Sequence, residues 1–118
     1  MSDTEITRLC AEAMGLDVAD DAEPVHYWQG RNPASLHRYD PLHDDAQAMA
    51  LVKRFDMVIE RNGGGRAGEP GMRELWAATL FVARPKVKGA DTFVVRNAPD
   101  LNRAICECVA KLEEAKRG

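Results

Sequence analysis

His26, His37 and His43 fall in one stretch of the chain together with Asp40, Asp44 and Asp45. Imidazole and carboxylate are the ligand types a divalent cation takes, and the same groups make an acid–base pair. A metal-dependent enzyme using His37, Asp40 and His43 is therefore one reading. Against it, the histidines lack the i, i+4 spacing that sets two imidazoles on one helix face. Asp44 and Asp45 also have a simpler task, accepting bonds from the free N–H groups at a helix start. The structural task outweighs the chemical one, so no catalytic residue and no metal ligand is assigned.

The cysteines point the same way. Cys106 and Cys108 form a C-x-C pair inside a helical pattern, where residues two apart are about 200° around the axis from each other and cannot close on one zinc ion. Cys10 lies on an apolar stripe and reads as a small buried hydrophobe, with no charged partner evident that would activate its thiol. Three cysteines are an odd number without framework spacing, which suits a reducing compartment.

Asn62-Gly63-Gly64-Gly65-Arg66 invites comparison with a phosphate loop, but the strand–loop–helix order and the Gly-Lys-Ser/Thr ending are both missing. Walker-type nucleotide hydrolysis is excluded. What survives is an anion held by exposed backbone N–H groups with Arg66, Arg73 and Arg31, which would make the protein a sponge for a small anionic, nucleotide-type signal. Trp28 and Tyr39 fall in or beside irregular segments, where aromatic rings serve recognition. Trp28, Tyr39, Arg66 and Arg73 are thus the candidate ligand- or partner-binding residues. Trp76, in an apolar strand pattern, reads as core. No cofactor is implied.

These groups must be positioned by one domain, since 118 residues is the size of a single core. Apolar residues at 45% and charged residues at 30% are ordinary for a soluble globular chain. A net charge of -3, with 16 Lys and Arg against 19 Asp and Glu, disfavours non-specific nucleic-acid binding. Arg96, Arg103, Lys111, Lys116 and Arg117 cluster late but alternate with Glu107, Glu113 and Glu114, the composition of a solvated face. No window approaches the roughly 18 uninterrupted apolar residues of a membrane span. The start of the chain, with Asp3, Glu5 and Arg8, does not read as a secretion signal, so a cytoplasmic location is expected.

Residues 3 to 14 carry Ile6, Leu9, Cys10 and Ala13 at helical spacing, with Gly15 as the stop. Residues 17–24 read as an acidic connector, 25–29 as either a short edge strand or an ordered loop, and 34–43 as loop. From Asp44 or Asp45, the spacing of Ala48, Leu51, Val52, Phe55, Val58 and Ile59 predicts the strongest helix, ending by Gly63. Residues 17–36 and 62–71 are the expected flexible connectors. Residues 74–83 and 92–95 are apolar on both faces of a pleat and joined by too few residues for a crossover helix, so they form an antiparallel hairpin covered above and below. Asn97 or Asp100 caps a last helix whose stripe is Leu101, Ala104, Ile105, Cys108, Val109 and Leu112. The fold class is α+β over residues 1–118: a layered α/β/α sandwich, a small antiparallel sheet covered by about three helices.

Several of these pieces together resemble the phage ABA-sandwich domain family, small phage and prophage proteins of unknown function. They are Ala13-Met14-Gly15-Leu16 closing the first helix, Tyr39-Asp40-Pro41-Leu42-His43-Asp44-Asp45 running into Ala46-Gln47-Ala48-Met49, Trp76 opening a strand, and the closing segment from Asp100 to Val109. The segment from Asp17 to Leu36 and the glycine-rich linker are longer and more polar than that pattern. The resemblance implies a sheet between helical layers and a phage setting, hence the cytoplasm of a host cell. It implies no reaction.

The balance falls on binding rather than catalysis: a non-enzymatic phage or prophage accessory protein engaging a host, phage or defence-system macromolecule, an anti-defence role included. The anionic-signal sponge and the metal-dependent enzyme are the alternatives. Open edge strands of a small sheet also allow a homo-oligomer.

Overall fold

Ser2 starts the first helix by accepting the N–H of Glu5 on its Oγ at 3.2 Å, and α1 runs over Asp3–Ala13. A side-chain acceptor at this position satisfies one of the donors that a helix start leaves open. The other end closes through Gly15, at φ 74°, with Gly15 N–H donating to Glu12 and Leu16 N–H to Ala11, each at 3.0 Å. That pair of bonds needs a left-handed residue, which glycine supplies without a Cβ clash. The computed structural model describes residues 1–19, 23–61, 81–85, 95–98 and 100–117.

A first antiparallel sheet follows, ordered β1 (Asp17–Val18), β2 (His26–Gln29) and β3 (Ser35–Arg38). Val18 pairs with Tyr27, and β2 meets β3 with Tyr27 opposite His37 and Trp28 opposite Leu36. Of the two readings open for residues 25–29, the strand is the one found. The expected connector from 17 and the expected loop from 34 instead contribute β1 and β3. Ser-Leu-His-Arg is exposed at all four positions, so it shows no alternation of apolar and polar residues, and pairing with β2 makes it a strand.

Asp44 caps α2 (Asp45–Phe55), accepting the N–H of Gln47 at 3.0 Å. The Gln47 amide then secures the preceding loop, accepting from Asp40 N–H at 2.6 Å and donating to the Arg38 carbonyl at 3.2 Å. The helix is shorter than its apolar spacing predicts. Asp56 turns left-handed (φ 49°, ψ 52°), its N–H returns to the Val52 carbonyl, and Met57–Arg61 continues as β4. Val58 and Ile59 fit a helical stripe by spacing, yet their β-branched side chains favour the strand they occupy.

In the second sheet, β4, β5 (Phe81–Pro85) and β6 (Val95–Ala98) are antiparallel in that order. The expected antiparallel neighbours are β5 and β6, the first running past Ala83 to Pro85 and the second continuing to Ala98. Residues 62–80, with Arg66, Arg73, Trp76 and the glycine-rich linker, and residues 86–94, with Phe93, lie outside the described residues.

Asp100 accepts the N–H of Asn102 at 3.3 Å as α3 (Leu101–Arg117) begins. Its buried set is wider than a stripe and takes in Cys106 and Ala110 with Ala104, Ile105, Cys108, Val109 and Leu112. The breadth follows from its neighbours: α3 touches α1, α2, β5 and β6, while α2 also touches β4. Helices laid beside antiparallel strands make this an α+β fold. Its core joins Ile6 and Cys10 of α1, Leu51 of α2 and Val95 of β6 to Ile105 and Val109 of α3. Ion pairs close the rims, Arg103 to Asp3 at 2.8 Å and Arg117 to Glu12.

Candidate functional site

The N–H of Tyr39 donates to the carbonyl of Val25 at 2.9 Å, one register step beyond the His26–Arg38 pair. Hydrogen-bonded and non-hydrogen-bonded pairs alternate along an antiparallel ladder. Val25–Tyr39, Tyr27–His37 and Gln29–Ser35 are therefore bonded pairs, and Trp28–Leu36 is a non-bonded pair, the kind in which side chains lie closest. Trp28 is 45% exposed and Leu36 47% exposed. Two large apolar side chains thus stand side by side on one face of a regular sheet, in water. By the same alternation, the N–H and C=O of Leu36 point away from β2, to the outer edge of the sheet.

The other face of this sheet is aromatic and enters the core at Val25 and Tyr39, while Tyr27 is partly buried and His37 stays exposed. The Tyr27 ring stacks on His37 with centroids 5.6 Å apart and meets Tyr39 edge-on at 6.0 Å. Tyr39 is only 5% exposed, and its hydroxyl has no hydrogen-bond partner among the described residues. Burial, reinforced by Cys10 and Cys106 nearby, pushes its phenol above the ordinary tyrosine range. Of the two aromatic candidates, Trp28 is open to a partner and Tyr39 belongs to the core.

His37, Asp40 and His43 are not brought to one point. His43 Nδ1 lies 3.0 Å from both carboxylate oxygens of Asp40, with the Arg38 guanidinium 3.6 Å from the same carboxylate, whereas His37 is engaged by Tyr27. His26 Nδ1 approaches the Pro24 carbonyl at 2.6 Å. A shallow depression of about 150 Å³ beside the Asp40–His43 pair is bordered by Asp3, Thr7, Val25 and Arg38. No group of three or more His, Cys, Asp or Glu able to hold a metal is found among the described residues. Arg66 and Arg73, the basis of the anion-holding reading, lie outside them.

The thiols are core groups. Cys10 donates to the Cys106 carbonyl at 3.3 Å, and all three cysteines are fully buried and outside any disulfide. Contact with the Cys10 thiol together with burial pushes the Cys106 thiol up, and burial pushes the Cys108 thiol up to about 12. A thiol so raised is a poor nucleophile at neutral pH.

Leu36 is the surface residue that sequence reasoning missed, because its segment reads as loop. The available signal is the Gly30 to Pro33 turn between two short segments, with Gly30 at φ 89°. Comparison of the chain with protein-family models, with curated proteins and with solved structures finds no match.

Proposed function

We propose that the chain is a non-enzymatic phage or prophage accessory protein that acts by binding a host or defence-system macromolecule. The Trp28–Leu36 row of the first sheet is its contact surface. One observation carries the reading: a tryptophan and a leucine paired across two strands, each about half exposed. Tryptophan is enriched among the residues that dominate binding energy, since one ring buries a large area at a small cost in rotamer freedom. A sheet holds the pair in place before contact, so little ordering cost is left for the binding step. The phage setting rests on the resemblance carried by the Tyr39–Met49 segment and by the segment from Asp100 to Val109.

The test is capture of the tagged full chain from infected or lysogenic cells, read by mass spectrometry, with wild type compared against Trp28→Ala. Truncating such an anchor costs about 2 kcal/mol or more, roughly 30-fold in affinity. A host or defence component retained by wild type and lost from the variant is the expected result. Identical captured sets from both proteins would refute the reading. Far-UV circular dichroism of the variant should match wild type, because Trp28 stands outside the core.

A further inference from the structure

We infer that β3 is a self-pairing edge: two copies of this chain join antiparallel about Leu36 to make one continuous six-stranded sheet. The inference concerns the chain alone and does not require the binding partner proposed above.

The two ends of the first sheet differ. At one, β1 is two residues long and packs beside α1; at the other, β3 is exposed at all four residues and packs chiefly against β2, with Gln47 of α2 reaching only the carbonyl of Arg38 at its end. The N–H and C=O of Leu36 face outward from that edge, with no partner among the described residues. An open row of this kind is a template for another strand. Of the features that usually blunt such edges, proline is absent from β3 and charge is confined to the arginine at its end; at four residues it is short, but twice the length of β1.

A second copy fits this edge by symmetry. An interface between identical chains about a two-fold axis must be self-complementary, and an antiparallel pair centred on Leu36 meets that condition. Leu36 opposes Leu36 of the second copy, where the two exchange both N–H···O bonds. Ser35 opposes His37 and Ala34 opposes Arg38, so no two like charges are directly opposite. The Arg38 carbonyl is already held by the Gln47 amide, and the Arg38 N–H remains to donate to the second copy's Ala34 carbonyl. Centring the pair on His37 is worse, because it sets imidazole against imidazole and asks the occupied Arg38 carbonyl to take the Leu36 N–H. Directly opposite residues share a face, so the Leu36-centred register lines up Trp28, Leu36, Leu36 and Trp28 across four strands as one apolar row.

The test uses the purified full chain. Sedimentation equilibrium over a concentration series should show a reversible shift from 13.1 kDa towards twice that mass. Leu36→Lys places like charges directly opposite at the centre of the pair and should weaken the dimer at least about tenfold, with unchanged circular dichroism because the side chain is exposed. In wild type, hydrogen exchange at the Leu36 amide should slow as concentration rises, a readout that needs no variant. A mass that stays monomeric throughout overturns the inference. So does a dimer that survives Leu36→Lys, or a Leu36 amide whose exchange ignores concentration, since the contact then lies elsewhere.

Discussion

The Cys10 thiol on α1 donates to the backbone carbonyl of Cys106 on α3 at 3.3 Å, joining positions 96 residues apart where both side chains are wholly excluded from solvent. That carbonyl also lies within the hydrogen-bonding ladder of α3, so the thiol adds a bond without being the one that satisfies it. The contact tells more about packing than about reactivity: α1 and α3 come within hydrogen-bonding distance here, and Cys10, Ala11, Cys106 and Ala110 are small side chains of these two helices buried in the core.

Enlarging this point should cost more than shrinking it. Cys10→Leu forces extra volume into a close-packed core and is expected to destabilise by about 1–3 kcal/mol. Cys10→Ala leaves no orphaned carbonyl and should cost about 1 kcal/mol. Urea denaturation midpoints of the two variants, compared with wild type, check the order.

Alkaline pH should unfold the protein through its buried thiols. Burial, the first cause, pushes the Cys108 thiol up from its ordinary value of 9.0 to about 12 in the folded chain. Between those values the unfolded state has released the proton and the folded state still holds it, so stability falls as pH rises through this window. Cys106 and Tyr39, both shifted up, act in the same direction. Denaturation free energies measured from pH 8 to pH 11 should decline, and Cys108→Ala should decline less steeply than wild type.

Asp56 marks the switch from α2 to β4 with a left-handed backbone. Glycine adopts that conformation freely, whereas a β-branched residue pays the full clash of its Cβ with the following carbonyl. Asp56→Gly is therefore expected to be neutral or stabilising, and Asp56→Val to destabilise by about 1–2 kcal/mol. Thermal unfolding of the pair against wild type decides it.

The buried Tyr39 hydroxyl, without a hydrogen-bond partner among the described residues, is a cost to folding. An unsatisfied buried hydroxyl costs about 1–3 kcal/mol, so Tyr39→Phe should match or exceed wild-type stability while keeping the edge-on contact with Tyr27. A clear loss of stability would show that the hydroxyl is paired.

The helices were legible because each carries its own period and its own caps. Ile6 and Cys10 recur on α1 behind Ser2, and Ala104, Ile105, Cys108 and Val109 recur on α3 behind Asp100. The end of α2 was not legible. Val58 and Ile59 satisfy a helical stripe and a strand equally well, and the choice was made by pairing with β5. In the candidate site, Trp28 could be singled out as a ring in or beside an irregular segment, although the structure sets it in the regular strand β2. Leu36 could not, since its segment has no hydrophobic alternation and its meaning comes from the residue opposite it.

Spacing and capping act between residues a few positions apart, so the chain by itself determined the α+β class and the existence of α1, α2 and α3. Strand partnership is decided by groups far apart in sequence, whose backbone bonds carry no side-chain signature. Only the tertiary structure could therefore set Trp28 beside Leu36, turn the outer N–H of Leu36 to the open edge, separate His37 from the Asp40–His43 pair, and bury Cys106 as deeply as Cys108.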